Sequence, residues 1–128
     1  MPTYLISPPE RTDWQEDPEA FVGALKARWN DAKVTYNPPE STMLLSFELG
    51  EQNERVFGRL HRDLQAMSLD ADVPAAAAIA AWWRERVPDD VKLIFYDETY
   101  SADVVVEPGA DAAKIASAYL GGSGDDRR

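Results

Sequence analysis

The chain has 128 residues, with 23 acidic and 13 basic side chains, one histidine and no cysteine, for a formal charge of −10. The length suits a single domain, and 45% hydrophobic residues with four Trp, five Tyr and four Phe supply a core that a disordered acidic chain lacks. The acidic balance excludes nucleic acid and anionic membranes as partners, and the absence of cysteine excludes disulfides, thiolate catalysis, Cys-ligated zinc and iron–sulfur clusters.

The opening MPTYLISPPE has no basic segment followed by a long apolar one, so no secretory signal is visible. The longest apolar run, Pro74 to Trp83, is half of the roughly 20 residues that span a bilayer. A cytoplasmic protein that does not engage membranes is the expectation.

Tyr4-Leu5-Ile6 reads as a first strand, stopped at Ser7-Pro8-Pro9 because proline removes the donor N–H. Asp17-Pro18 starts a helix, and Phe21, Val22, Leu25 and Trp29 recur at helical spacing. Lys33 to Tyr36 alternates and is broken by Asn37-Pro38-Pro39. Met43, Leu45, Phe47 and Leu49 lie two apart and share one face of a strand. Gly50-Glu51-Gln52-Asn53 reads as a hairpin turn, after which Val56, Gly58 and Leu60 alternate with Phe57, Arg59 and His61. Arg62-Asp63-Leu64 turns the chain again toward a short strand marked by Met67 and Leu69, with a helix through Leu60, Leu64 and Met67 as the competing reading.

Val73-Pro74 opens an alanine-rich helix that Pro88 halts. Leu93 to Tyr96 and Asp103 to Val106 read as paired strands, and Asp111 caps a last helix with Ala112, Ile115, Ala116 and Tyr119 on one face. The order is β-α-β-β-β-β-α-β-β-α. Short turns between strands imply an α+β fold: a mainly antiparallel sheet of about five to seven strands, with three helices on one face. The expected organisation is one domain over residues 1–120 and a flexible tail from Gly121 to Arg128.

The charge is concentrated in two windows. Glu10 to Glu19 holds five carboxylates against Arg11, Asp89 to Asp111 holds seven against Lys92, and the rest of the chain is balanced. Helix capping accounts for Asp17, Glu19 and Asp111, which leaves Glu10, Asp13, Glu16, Asp97, Glu98 and Asp103. Solubility alone accounts for such charge in many proteins. The alternative is a surface for a basic protein, with Tyr96, Asp97, Glu98, Tyr100 and Asp103 presenting carboxylates and phenols together. Adjacent Trp82 and Trp83 diverge by about 100° on a helix, so one packs inward and the other lies at the margin, where Trp83 would add an aromatic contact.

His61 is the only side chain whose ordinary pKa lies near neutrality, and on a continuing strand Arg59 and Asp63 would share its face. That set is the candidate site for a small enzyme or ligand-binding domain. Among the serines, Ser46, Ser68, Ser101 and Ser117 lack the glycine-flanked elbow of a hydrolase, and no phosphate loop or metal-ligand spacing is present. No cofactor or metal is expected. The preferred reading is a small acidic protein that acts by protein–protein binding, in its most concrete version an immunity-type inhibitor of a basic toxin.

Overall fold

The computed structural model describes residues 3–50, 55–99 and 102–122. In chain order the elements are β1 (Thr3–Ser7), α1 (Pro18–Arg28), β2 (Lys33–Tyr36), β3 (Met43–Leu49), β4 (Val56–His61), β5 (Met67–Asp70), α2 (Val73–Arg86), β6 (Ile94–Asp97), β7 (Asp103–Val105) and α3 (Ala112–Gly122). All seven strands join one antiparallel sheet in the spatial order β2-β3-β4-β5-β1-β6-β7. This is the α+β fold with the expected element order. The strand reading of Met67 and Leu69 prevails over the helical one because β5 pairs on both sides, with β4 and with β1.

Local signals start and stop these elements. The Asp17 carboxylate accepts from the N–H groups of Glu19 and Ala20, and Pro18 occupies the first helical position of α1. Leu64 takes a left-handed φ of 62° in the β4–β5 turn, where the chain reverses too tightly for an ordinary conformation. Three hydrogen bonds hold it there: Leu64 N–H to the His61 carbonyl, Gln65 N–H to the Asp63 carboxylate, and Glu16 N–H to the Leu64 carbonyl. The Gly50–Asn53 turn falls mostly on residues 51–54, outside the described residues; of the expected tail, Gly121 and Gly122 belong instead to the end of α3, and residues 123–128 lie outside the described residues.

Strand alternation divides the side chains between two faces. Tyr4, Ile6, Leu45, Phe47, Leu49, Val56, Leu60, Met67, Leu69 and Phe95 point to one side and are buried there. The helices cover that side: Phe21 of α1 meets Phe47 and Trp82 with ring centroids 5.9 and 5.5 Å apart, and Tyr119 of α3 meets Tyr4 and Phe95 at 5.5 and 5.4 Å. Gly58 is required in this layer, because a Cβ there would lie 2.0 Å from the Phe47 ring. Each fully buried aromatic or aliphatic side chain contributes about 1.5–3 kcal/mol, so the core gathers on the helix side of the sheet. Among the described residues, no helix lies on the opposite face.

Candidate functional site

The uncovered face of the sheet carries members of both sets of residues that the sequence singles out: Arg59 and His61 from one, Tyr96 and Asp103 from the other. Register aligns Thr35, Ser46, Arg59, Ser68, Leu5, Tyr96 and Asp103 in one row across all seven strands. Arg59 and His61 come to this face from β4, Tyr96 from β6 and Asp103 from β7. A row of this kind is invisible in sequence until the strand order is known.

Within the β3–β4–β5 part of the face, polar groups satisfy one another. Arg59 Nη2 donates to Asp70 Oδ2 at 2.6 Å, and Thr3 Oγ1 donates to the other Asp70 oxygen at 2.6 Å. His61 Nε2 and Ser68 Oγ share a hydrogen bond of 2.7 Å. Arg55 pairs with Glu48 at 2.6 Å. Burial raises the Asp70 carboxyl, but the hydrogen bonds from Thr3 and Arg59 and the guanidinium charge outweigh it, and the net direction is downward. Burial lowers the His61 pKa, Asp63 opposes that, and Arg59 reinforces it, and the net direction is downward.

Asp63 does not lie on the strand with Arg59 and His61, although its charge still acts on the imidazole. Strand β4 ends at His61, and the Asp63 carboxylate turns back to accept from the Gln65 N–H at 2.9 Å. Ser68 and Asp70 are the partners that sequence reasoning missed. Their signal was the alternation with Met67 and Leu69, which puts them on the polar side of β5.

The β1–β6–β7 part of the face is different. Leu5, Ile94, Tyr96 and Val105 point outward with Asp103, and Tyr96 is the direct cross-strand neighbour of both Leu5 and Asp103. The hydroxyls of Tyr96 and Ser7 are 3.0 Å apart. Where β1 runs into Pro8 and Pro9, two clefts share Ser7, Pro8 and Pro9 as a common wall. One, of about 200 Å³, also includes Glu10, Arg11, Asp63 and Gln65; the other, of about 230 Å³, includes Ile94, Tyr96 and Asp103. A larger cleft of about 360 Å³ on the helix side, between Trp29 and Ile79, contains none of the candidate residues.

The remaining candidates separate by burial. Trp83 is 0% exposed, packs beside Trp14, and donates its indole N–H to Glu16 at 2.9 Å, so it cannot act as a contact anchor. Burial drew it inward because α2 lies over the sheet, and Trp82 is the partly exposed one. Glu16 is itself buried and receives two hydrogen bonds from Arg86, at 3.0 and 2.7 Å. Its charge is therefore structural. Asp97 points to the helix side, where it accepts from Thr99 and from the Tyr119 hydroxyl at 2.6 Å. Glu98 and Asp103 are exposed, and Tyr100 lies outside the described residues.

Part of the second acidic window also has an internal cause. The Arg84 guanidinium is buried and donates to the carbonyls of Val87, Pro88, Val91 and Val106. Burial lowers its pKa, while Asp89 and Glu107 favour its charged form. These two carboxylates partly compensate a cation that closes the loop after α2 and holds the end of β7.

Among the described residues there is no helix long and apolar enough to cross a membrane and no group of three or more His, Asp or Glu that could hold a metal ion. The chain matches no protein-family model, no curated protein and no solved structure.

Proposed function

We propose that this chain acts by binding a basic protein through the β1–β6–β7 half of its open sheet face. The observation that carries the reading is the pair of clefts on either side of Pro8-Pro9. One is lined by Glu10 of the first acidic window with Arg11 and Asp63, the other by Asp103 of the second window, and the two share Ser7, Pro8 and Pro9 as a wall. Glu10, Glu98 and Asp103 have side chains without an ion pair among the described residues, so their charge is available to a partner. Leu5, Ile94, Tyr96 and Val105 supply the apolar area that charge alone lacks. An immunity-type inhibitor of a basic toxin is the specific version of this reading, in which long-range attraction speeds capture and the docked sheet blocks the toxin's own substrate.

The test is affinity capture from native extract at low salt, comparing the native chain with a Glu10→Gln, Glu98→Gln, Asp103→Asn variant. The native chain should retain a basic protein and the variant should release it at lower salt. Equal retention by both would sink the reading.

A second reading is favoured by the 2.7 Å contact between His61 and Ser68, the distance at which an imidazole can take a serine proton. It would make the β4–β5 region a small enzyme or ligand site built on Arg59 and His61. Ser68 is only 6% exposed, and among the described residues no carboxylate bonds to the imidazole. Labelling of Ser68 by a fluorophosphonate, abolished in His61→Ala, would support this reading; an unlabelled serine would remove it.

A further inference from the structure

β7 is an edge strand, and its main chain carries as much information as its side chains. The Val106 N–H donates to the Leu93 carbonyl at 2.9 Å, in line with the pairing of Ile94 with Val105 and Phe95 with Val104. Antiparallel alternation then turns the N–H and C=O groups of Val104 and Val106 toward β6, and those of Asp103 and Val105 away from it. No hydrogen bond from another described residue reaches these outward groups. The last helix packs against β7 from the covered side of the sheet, where Tyr119 meets Tyr4 and Phe95, and Val105 on the open side remains 41% exposed.

Proteins commonly protect an edge with lysine, and the two edges of this sheet differ in that respect. The opposite edge strand, β2, begins with Lys33. Around β7 there is no Lys or Arg between Lys92 and Lys114, while Asp97, Glu98, Asp103, Glu107 and Asp111 fall in the same stretch. The buried Arg84 spends its charge on the Val106 carbonyl and the loop after α2, so an edge with open donors and acceptors and only carboxylates in its own stretch of chain selects by charge which strand can add.

We infer that β7 accepts an extended, lysine- or arginine-bearing strand of the partner as an eighth strand of the sheet. This rests on the protein-binding reading above and specifies its mode. Main-chain hydrogen bonds form at Asp103 and Val105, and the added strand's alternate side chains fall on the open face. A basic residue there meets Asp103, and an apolar one meets Val105. A second copy of this chain is a poor occupant, because it brings two acidic strand edges together with no cation between them.

The probe is a capped peptide alternating lysine and valine, titrated by calorimetry onto the whole chain, with amide hydrogen exchange read in parallel. The peptide should bind and slow exchange at Asp103 and Val105, and a glutamate–valine counterpart should not bind. N-methylating the peptide's pairing amides should weaken binding about tenfold, the loss expected for one or two hydrogen bonds. Val105→Pro should do the same, because the lost N–H faces outward and the β6 ladder keeps its bonds. The methylated peptide keeps this decisive if the proline variant folds poorly.

Undiminished binding by both blocked forms, together with weakening by Glu98→Gln, Asp103→Asn, would overturn strand addition and leave the protein-binding reading standing. Failure of the lysine–valine peptide to bind, or equal binding of the glutamate peptide, would overturn the inference. So would concentration-dependent mass with protection at Asp103 in the absence of peptide, which is the signature of self-pairing.

Discussion

The two halves of the open face are made from the same sheet, yet they treat charge in opposite ways. Across β3, β4 and β5 the carboxylates are paired: Glu48 with Arg55, just before β4, and Asp70 with Arg59 in the adjacent strand. Across β1, β6 and β7 the carboxylate of Asp103 stands beside apolar side chains and has no cation near it in sequence or in the described contacts. Paired charge stabilises the half that holds it, modestly. Unpaired charge at an apolar border costs nothing while hydrated and is ready for a partner. The net charge of −10 is therefore a poor guide to the proposed docking surface, because Glu16 and Asp97 serve internal contacts and the exposed carboxylates are spread over the molecule.

That contrast can be broken most severely at Arg84. Arg84→Met orphans carbonyls on the loop after α2 and on Val106, and should lower unfolding stability by about 3 kcal/mol in denaturant titration. Hydrogen exchange in the variant should rise first at β6 and β7 and leave β3–β5 protected. Uniform acceleration would show that β7 is not held separately.

Glu16→Gln tests whether a carboxylate of the first acidic window is structural. Weakening the buried contact to Arg86 should cost about 2 kcal/mol in the same titration, while capture of a basic partner stays as in the native chain. Loss of capture at unchanged stability would move Glu16 back into the binding surface.

Asp70→Asn probes the paired half. The Arg59–Asp70 bridge is partly exposed, so its loss should cost only about 0.5 kcal/mol at neutral pH. The folded-state pKa of Asp70 is lowered, so its contribution is complete above the ordinary value of 3.8 and is lost as pH falls through the depressed folded value. The stability gap between native and variant chains should accordingly close as the pH falls below 3.8. A gap that persists at low pH would contradict the assignment.

The smallest effect belongs to His61. Its folded pKa is depressed below 6.5, so the unfolded chain takes up the proton first and stability declines as pH falls from 6.5 to the folded value. His61→Gln should flatten that decline. An unaltered slope would mean that another group produces it.

Much of the fold was legible because the local signals agreed. Met43, Leu45, Phe47 and Leu49 alternate cleanly, Asp17-Pro18 starts a helix by two independent means, and Met67 with Leu69 marks a strand short enough to be read as helix until its two pairings are seen. The site was legible only in pieces. His61 and Arg59 were visible as neighbours two residues apart, but Ser68 and Asp70 reach them through register, which depends on the Leu64 turn. Trp83 was misplaced because helical spacing says that two adjacent indoles diverge and does not say which one meets the sheet. The fate of Glu16 was hidden for a similar reason, since its partners Trp83 and Arg86 lie 67 and 70 residues away.

The most direct test of the central claim removes two negative charges from each half in turn and measures association with the lysine–valine peptide over a range of salt. One variant is Glu98→Gln, Asp103→Asn; the other is Glu48→Gln, Asp70→Asn. The first should bind more slowly and lose much of its salt dependence, while the second stays close to the native chain. Equal slowing in both would mean that only the overall charge matters, and would contradict a docking surface on β1, β6 and β7.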